Sequence, residues 1–175
     1  MRILVALLLA LTTSAGAQDS SPDPDQRYLI LATHRTSTMQ KELDAAAKQG
    51  YRVVAASYGR DEIILFLERQ PPSAEPYAYR LLATHRNSTM EKELSDAGSE
   101  GFRFLPQTAI AKGDEGVVVM ERAPQNDKRY EYRLLATHRT STLMKEINEA
   151  TRASFVLMDA LDRDESLAVM ERVSE

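Results

Sequence analysis

The hexapeptide LLATHR occurs at residues 81–86 and again at 134–139, and LILATHR fills the corresponding place at 29–35. A motif that returns at a spacing of about fifty residues restricts the chain to an array of small units. Each unit is too short to bury a core alone, so neighbours must cover one another. Alignment on the motif divides the chain into residues 27–69, 77–122 and 129–172. The segments between them, QPPSAEP (70–76) and APQNDK (123–128), have the Pro-rich or polar composition of linkers.

Each copy opens on a strand. In YRLLATHR, Tyr79, Leu81, Ala83 and His85 alternate with Arg80, Leu82, Thr84 and Arg86 across the two faces. A helix follows, with Ser37, Ser88 and Ser141 as expected N-caps. Ser88 with Glu91 fits a capping box, and Ser37 with Gln40 a weaker one. Met39, Leu43 and Ala46 form an apolar stripe that Met90, Leu94 and Ala97 repeat, as do Leu143, Ile147 and Ala150. Gly50 and Gly101 stop the first two helices in the left-handed conformation, whereas the third copy has Ser154 there. A second strand starts at Tyr51, Phe102 and Phe155. The closing runs IILFLER, VVVMER and LAVMER lack alternation, so both faces of a third strand are expected to be buried.

The reading is α+β: three tandem β-α-β-β repeats, each a three-stranded sheet with one helix on one face. A right-handed crossover makes the first two strands parallel, and the third fits between them, antiparallel to both. The sheets are expected to pack together, about a pseudo-threefold axis or in a row. The third copy should be the weakest, given Ser154, the missing capping box and Ser166 at a strand entrance.

Composition narrows the function. Residues 1–17 have the form of a secretory signal: Arg2, an apolar run too short to cross a bilayer, then the small-x-small sequence AGA. Residues 18–26 read as a disordered lead-in. The expected location is the periplasm or the exterior, with no membrane insertion after signal cleavage. The chain has no cysteine, which removes disulfides, thiolate chemistry and a lipid-anchored export signal. A formal net charge of −4 without a basic cluster argues against nucleic acid. Neither a Gly-rich phosphate loop nor a serine-hydrolase elbow is present.

The copies resemble the small bacterial family known as domain of unknown function 4177. The matching features are YEYRLL (130–135), a KEL helix ending in EGFRFL (100–105), and a closing VVVMER (117–122). That family often has a tryptophan after the helix-ending glycine, where this chain has Tyr51, Phe102 or Phe155. The resemblance implies the β-α-β-β fold and brings no catalytic residues.

The three histidines of the chain all lie in the repeated motif. If the third strand runs beside the first, His34-Arg35, His85-Arg86 and His138-Arg139 face Asp61-Glu62, Asp114-Glu115 and Asp164-Glu165. As structural ion pairs, these fix strand register and contribute about 0–1 kcal/mol each where exposed. At the far end, Glu121 and Glu171 are expected to meet Arg80 and Arg133. Two ligand readings stand beside the structural one. Arg35, Arg86 and Arg139, with the histidines and Ser37, Ser88 and Ser141 at helix starts, form candidate sites for a small anion. Convergence of His34, His85 and His138 would give three imidazoles for zinc or copper. No cofactor is implied. The expectation is a non-enzymatic binding or scaffold module, its partner another envelope or secreted protein or a second copy of itself.

Overall fold

The computed structural model describes residues 26–71, 75–162 and 164–174. The leader at 1–17 and the lead-in up to residue 25 lie outside the described residues. Gln26, assigned to the lead-in, is anchored: its carbonyl accepts hydrogen bonds from Tyr51 Oη (2.8 Å) and Arg69 Nε (3.1 Å).

Unit 1 comprises β1 (Tyr28–Thr33), α1 (Thr36–Lys48), β2 (Tyr51–Gly59) and β3 (Glu62–Arg69). Unit 2 has β4 (Ala78–Thr84), α2 (Asn87–Ser99), β5 (Arg103–Phe104), β6 (Ile110–Lys112) and β7 (Glu115–Arg122). Unit 3 has β8 (Arg129–Thr137), α3 (Thr140–Arg152), β9 (Val156–Asp162) and β10 (Ser166–Ser174). The α+β class holds, with three sheets and three helices among the described residues. In each sheet the last strand lies in the middle: β1-β3-β2, β4-β7-β5 and β8-β10-β9, all antiparallel. In unit 2 the expected second strand is split into β5 and β6, both on β7. Pro106 falls in the break, where its missing N–H removes a ladder bond.

The units follow one another in a row. Helix α1 packs between its own sheet and β4, and α2 between its own sheet and β8. One core combines Met39, Leu43, Ile63 and Leu65 of unit 1 with Tyr79, Val117 and Val119 of unit 2. A second combines Met90, Leu94, Phe104 and Met120 of unit 2 with Tyr130, Tyr132 and Val169 of unit 3. Strands β7 and β10 are therefore buried on both faces, as their unbroken apolar runs require. Strand β3 departs from that expectation. Phe66 is exposed, because the outer face of the first sheet has no unit before it. Tyr28 (54% exposed) and Ile30 (59%) share that open face, and Met144 on α3 is 65% exposed at the other end of the row. The contacts link unit 1 to unit 2 and unit 2 to unit 3.

The third core is small: Ala150, Phe155 and Met170. Helix α3 buries only Ala150, where α1 and α2 bury four residues each. Ser154 has φ 67°, matching Gly50 (83°) and Gly101 (88°). A side chain in that region costs roughly 1–2 kcal/mol, part of it offset by the greater freedom of an unfolded glycine. Ser154→Gly should therefore stabilise the protein by about 1 kcal/mol. The test is a higher urea midpoint at unchanged slope.

Candidate functional site

The repeated ATHR segment makes the turn from first strand to helix in all three units. Thr33, Thr84 and Thr137 accept a bond at Oγ1 from the N–H of Arg35, Arg86 and Arg139 (3.3, 3.3 and 3.2 Å). The arginine is the extended N-cap residue, and its carbonyl accepts the N–H of Met39, Met90 or Leu143 at 3.0 Å. Ser37, Ser88 and Ser141 lie within the first turn and are not caps; no side chain caps any of the three helices. A threonine two residues ahead of the N-cap thus holds the strand-to-helix turn without capping the helix.

The expected acidic partners are found at two of the turns. His34 Nδ1 lies 2.8 Å from the Asp61 carbonyl and its Nε2 3.7 Å from Glu62. His85 Nδ1 lies 3.3 Å from Asp114. Beside Asp114, Glu115 pairs with Lys112 (3.6 Å), and in unit 3 Glu165 accepts a bond from Asn87 of unit 2 (2.6 Å). His34, Arg35 and Ser37 are exposed, as are His85, Arg86 and Ser88, and His138, Arg139 and Ser141. Among the described residues no three His, Asp or Glu side chains gather as metal ligands. The three imidazoles belong to three separate turns.

A second recurring constellation lies between the units, and sequence reasoning missed it. Glu121 (6% exposed) and Glu171 (4%) are buried. Arg52 of unit 1 holds Glu121 through Nε (3.0 Å) and Nη2 (2.7 Å). Arg103 of unit 2 holds Glu171 through Nε (2.9 Å). Tyr79 Oη donates to Glu121 and Tyr132 Oη to Glu171, each at 2.8 Å. The same hydroxyls accept the N–H of Val53 (3.1 Å) and Phe104 (2.8 Å), which lie on the free edges of β2 and β5. Each joint thereby satisfies a buried carboxylate and an edge amide through one phenol. Burial first, and then the adjacent carboxylate, push both tyrosines far above the usual phenol range.

The free edges of β4 and β8 are completed across the same joints. Gln40 on α1 donates to the Tyr79 carbonyl (3.1 Å) and accepts the Leu81 N–H (2.7 Å). Glu91 on α2 accepts the Leu134 N–H (2.8 Å), and Ser95 Oγ lies 3.3 Å from both the N–H and the carbonyl of Tyr132. Gln40 and Glu91 were expected to complete capping boxes. They serve the neighbouring strand instead.

Arg80 and Arg133 do not meet Glu121 and Glu171. Tyr79 is the residue opposite Glu121, and Arg80 is opposite Met120, so Arg80 emerges on the other face. It stacks 4.6 Å from the Phe102 ring centre and bonds Glu100 (3.1 Å). Arg133 likewise lies 4.5 Å over Phe155. The parity of Tyr79 with Glu121 and of Tyr132 with Glu171 was the signal available in the sequence.

A groove of about 370 Å³ runs past Arg52 and Arg103. Both guanidiniums are engaged by buried carboxylates, which removes the field an anion would need. No helix of the described residues is long and apolar enough to cross a membrane. Comparison with protein-family models, with curated proteins and with solved structures finds no match for the chain.

Proposed function

We propose that this chain is an exported, non-enzymatic interaction module, built from three copies of one β-α-β-β unit, that offers its first sheet face to a protein partner. The observation that carries the reading is the outer face of unit 1. Tyr28, Ile30 and Phe66 are exposed there, and their counterparts Tyr79, Leu81 and Val119 pack into the joint behind unit 1. An apolar face that is covered wherever a neighbour exists, and open where none does, is the surface a partner would use.

Export is supported by the apolar leader and the AGA sequence. The likeness to domain of unknown function 4177 belongs to the same reading, supported by the strand, helix and Gly-aromatic motifs. The competing reading, anion or metal binding at the ATHR turns, has less behind it. Threonine hydroxyls and arginine carbonyls there are engaged within the turns.

The test is site-specific photo-crosslinking in cells that make the protein. A crosslinker at Ile30 or Phe66 should give a discrete product, and one at Lys92, an exposed residue of α2, should not. Absence of any product from the Ile30 and Phe66 positions would overturn the reading.

A further inference from the structure

Resting on that reading of the first sheet face, we infer that its partner is the opposite end of a second copy of this chain, so that molecules associate head to tail. Each internal joint needs a tail, made by a helix and the start of a second strand, and a head, made by the first sheet face of the next unit. Both surfaces recur uncovered at the ends of the row. Tyr28 and Ile30 are exposed at the head, and Met144 (65%) and Val156 (63%) at the tail. Arrays that end at their last unit carry polar outer faces. Here both ends expose large apolar side chains.

The two ends also depart from the internal joints in matching ways. Within the chain, the tail supplies Arg52 or Arg103 to the glutamate of the next head, and Gln40 to the carbonyl of its tyrosine. The free head makes both contacts for itself. Arg27 bonds Glu68 through Nε (2.9 Å) and Nη2 (2.7 Å), and Gln26 Nε2 bonds the Tyr28 carbonyl (2.8 Å). The free tail has lost both polar groups: Val156 stands at the position of Arg52 and Arg103, and Met144 at that of Gln40 and Glu91. The polar side chains that remain on that face of α3 are bonded within the helix, Asn148 to the Met144 carbonyl (2.8 Å) and Thr151 to the Ile147 carbonyl (2.9 Å), so neither the head nor the tail needs a polar partner from the other. An arginine at residue 156 would have no free carboxylate to meet. The contact joins two different surfaces, so it propagates as a chain or closes as a ring.

The experiment is analytical ultracentrifugation of the chain from Gln18 onward, with Ile30→Asp blocking the head and Val156→Asp blocking the tail. Both sites are more than half exposed, so the fold should tolerate the change, and circular dichroism checks that it does. Wild type should show a mass that rises with concentration. Each variant alone should associate at least tenfold more weakly. An equimolar mixture of the two should form a species of two chains and stop there, because one intact head and one intact tail remain.

Wild type monomeric up to about 1 mM would overturn the inference. So would a tail variant that assembles like wild type, which would mean two heads meet, or a mixture that stays monomeric. A monomeric wild type whose Ile30 crosslink has a mass that is no multiple of the chain would leave the interaction reading standing and assign the face to a different protein.

Discussion

Between pH 9 and pH 11 the protein should lose about 3 kcal/mol of stability, through Tyr79 and Tyr132 alone. Both hydroxyls are buried, and both donate to a carboxylate that is itself buried. In the unfolded chain each phenol releases its proton near pH 10. In the folded chain the proton is held well beyond that, by burial and then by the negative charge beside it. A group whose folded pKa is raised gives its full stability below the unfolded value and loses it above. The window therefore opens at about pH 10, and each tyrosine steepens the fall by about 1.4 kcal/mol per pH unit. Urea midpoints collected across that window measure it. Tyr132→Phe lowers stability at pH 7, because the Phe104 amide loses its acceptor and Glu171 a donor. It should also remove about half of the alkaline slope. An unchanged slope in that variant would place the titrating groups elsewhere.

Gly98→Ala should destabilise the protein by about 2–3 kcal/mol, against the sign that helix propensity gives. In an isolated helix the change gains about 1 kcal/mol. Here a Cβ at residue 98 would sit 2.2 Å from the Tyr130 carbonyl oxygen and 2.9 Å from the Tyr132 ring. The first of these is backbone, which cannot rotate away. Helix α2 would have to withdraw from β8, taking Glu91 and Ser95 off the edge amides they serve. The corresponding residue in α1 is Ala47, which is buried without such an approach, so Ala47→Gly should follow propensity and cost about 1 kcal/mol. A lower urea midpoint for both variants, although one adds a methyl group to its helix and the other removes one, is the check. A stabilised Gly98→Ala protein would mean that α2 and β8 are not held this close.

Elements within one unit were legible, and relations between units were not. Alternation in YRLLATHR placed Tyr79 and Leu81 on one face and Leu82 on the other, and the two cores divide them in that way. Glycine at 50 and 101 marked the helix ends, and Ser154 the strained one. The unbroken apolar runs put the last strand in the centre of each sheet. Reading each unit alone then misled. Ser88 and Glu91 fit a capping box by local spacing, but Glu91 is engaged by a strand that begins about forty residues later in the chain. Glu121 is matched by strand pairing to Arg80 of its own unit, while its partner Arg52 comes from the unit before. The histidines are the rarest chemistry in the motif. The threonine beside them, which holds the turn, reads in sequence as one more position of the strand alternation. No local pattern announces a joint whose two halves come from different copies.

The modest hold on α3 has a consequence of its own. This helix packs on β8, β9 and β10 from the side away from unit 2, while the face of β8 that carries Tyr132 is gripped by α2. With one buried residue, α3 can detach while that grip persists. Local opening at the C-terminal end is thereby insulated from the two joints. The row has a loose last segment and a stiff centre, so fluctuations of the one need not melt the other.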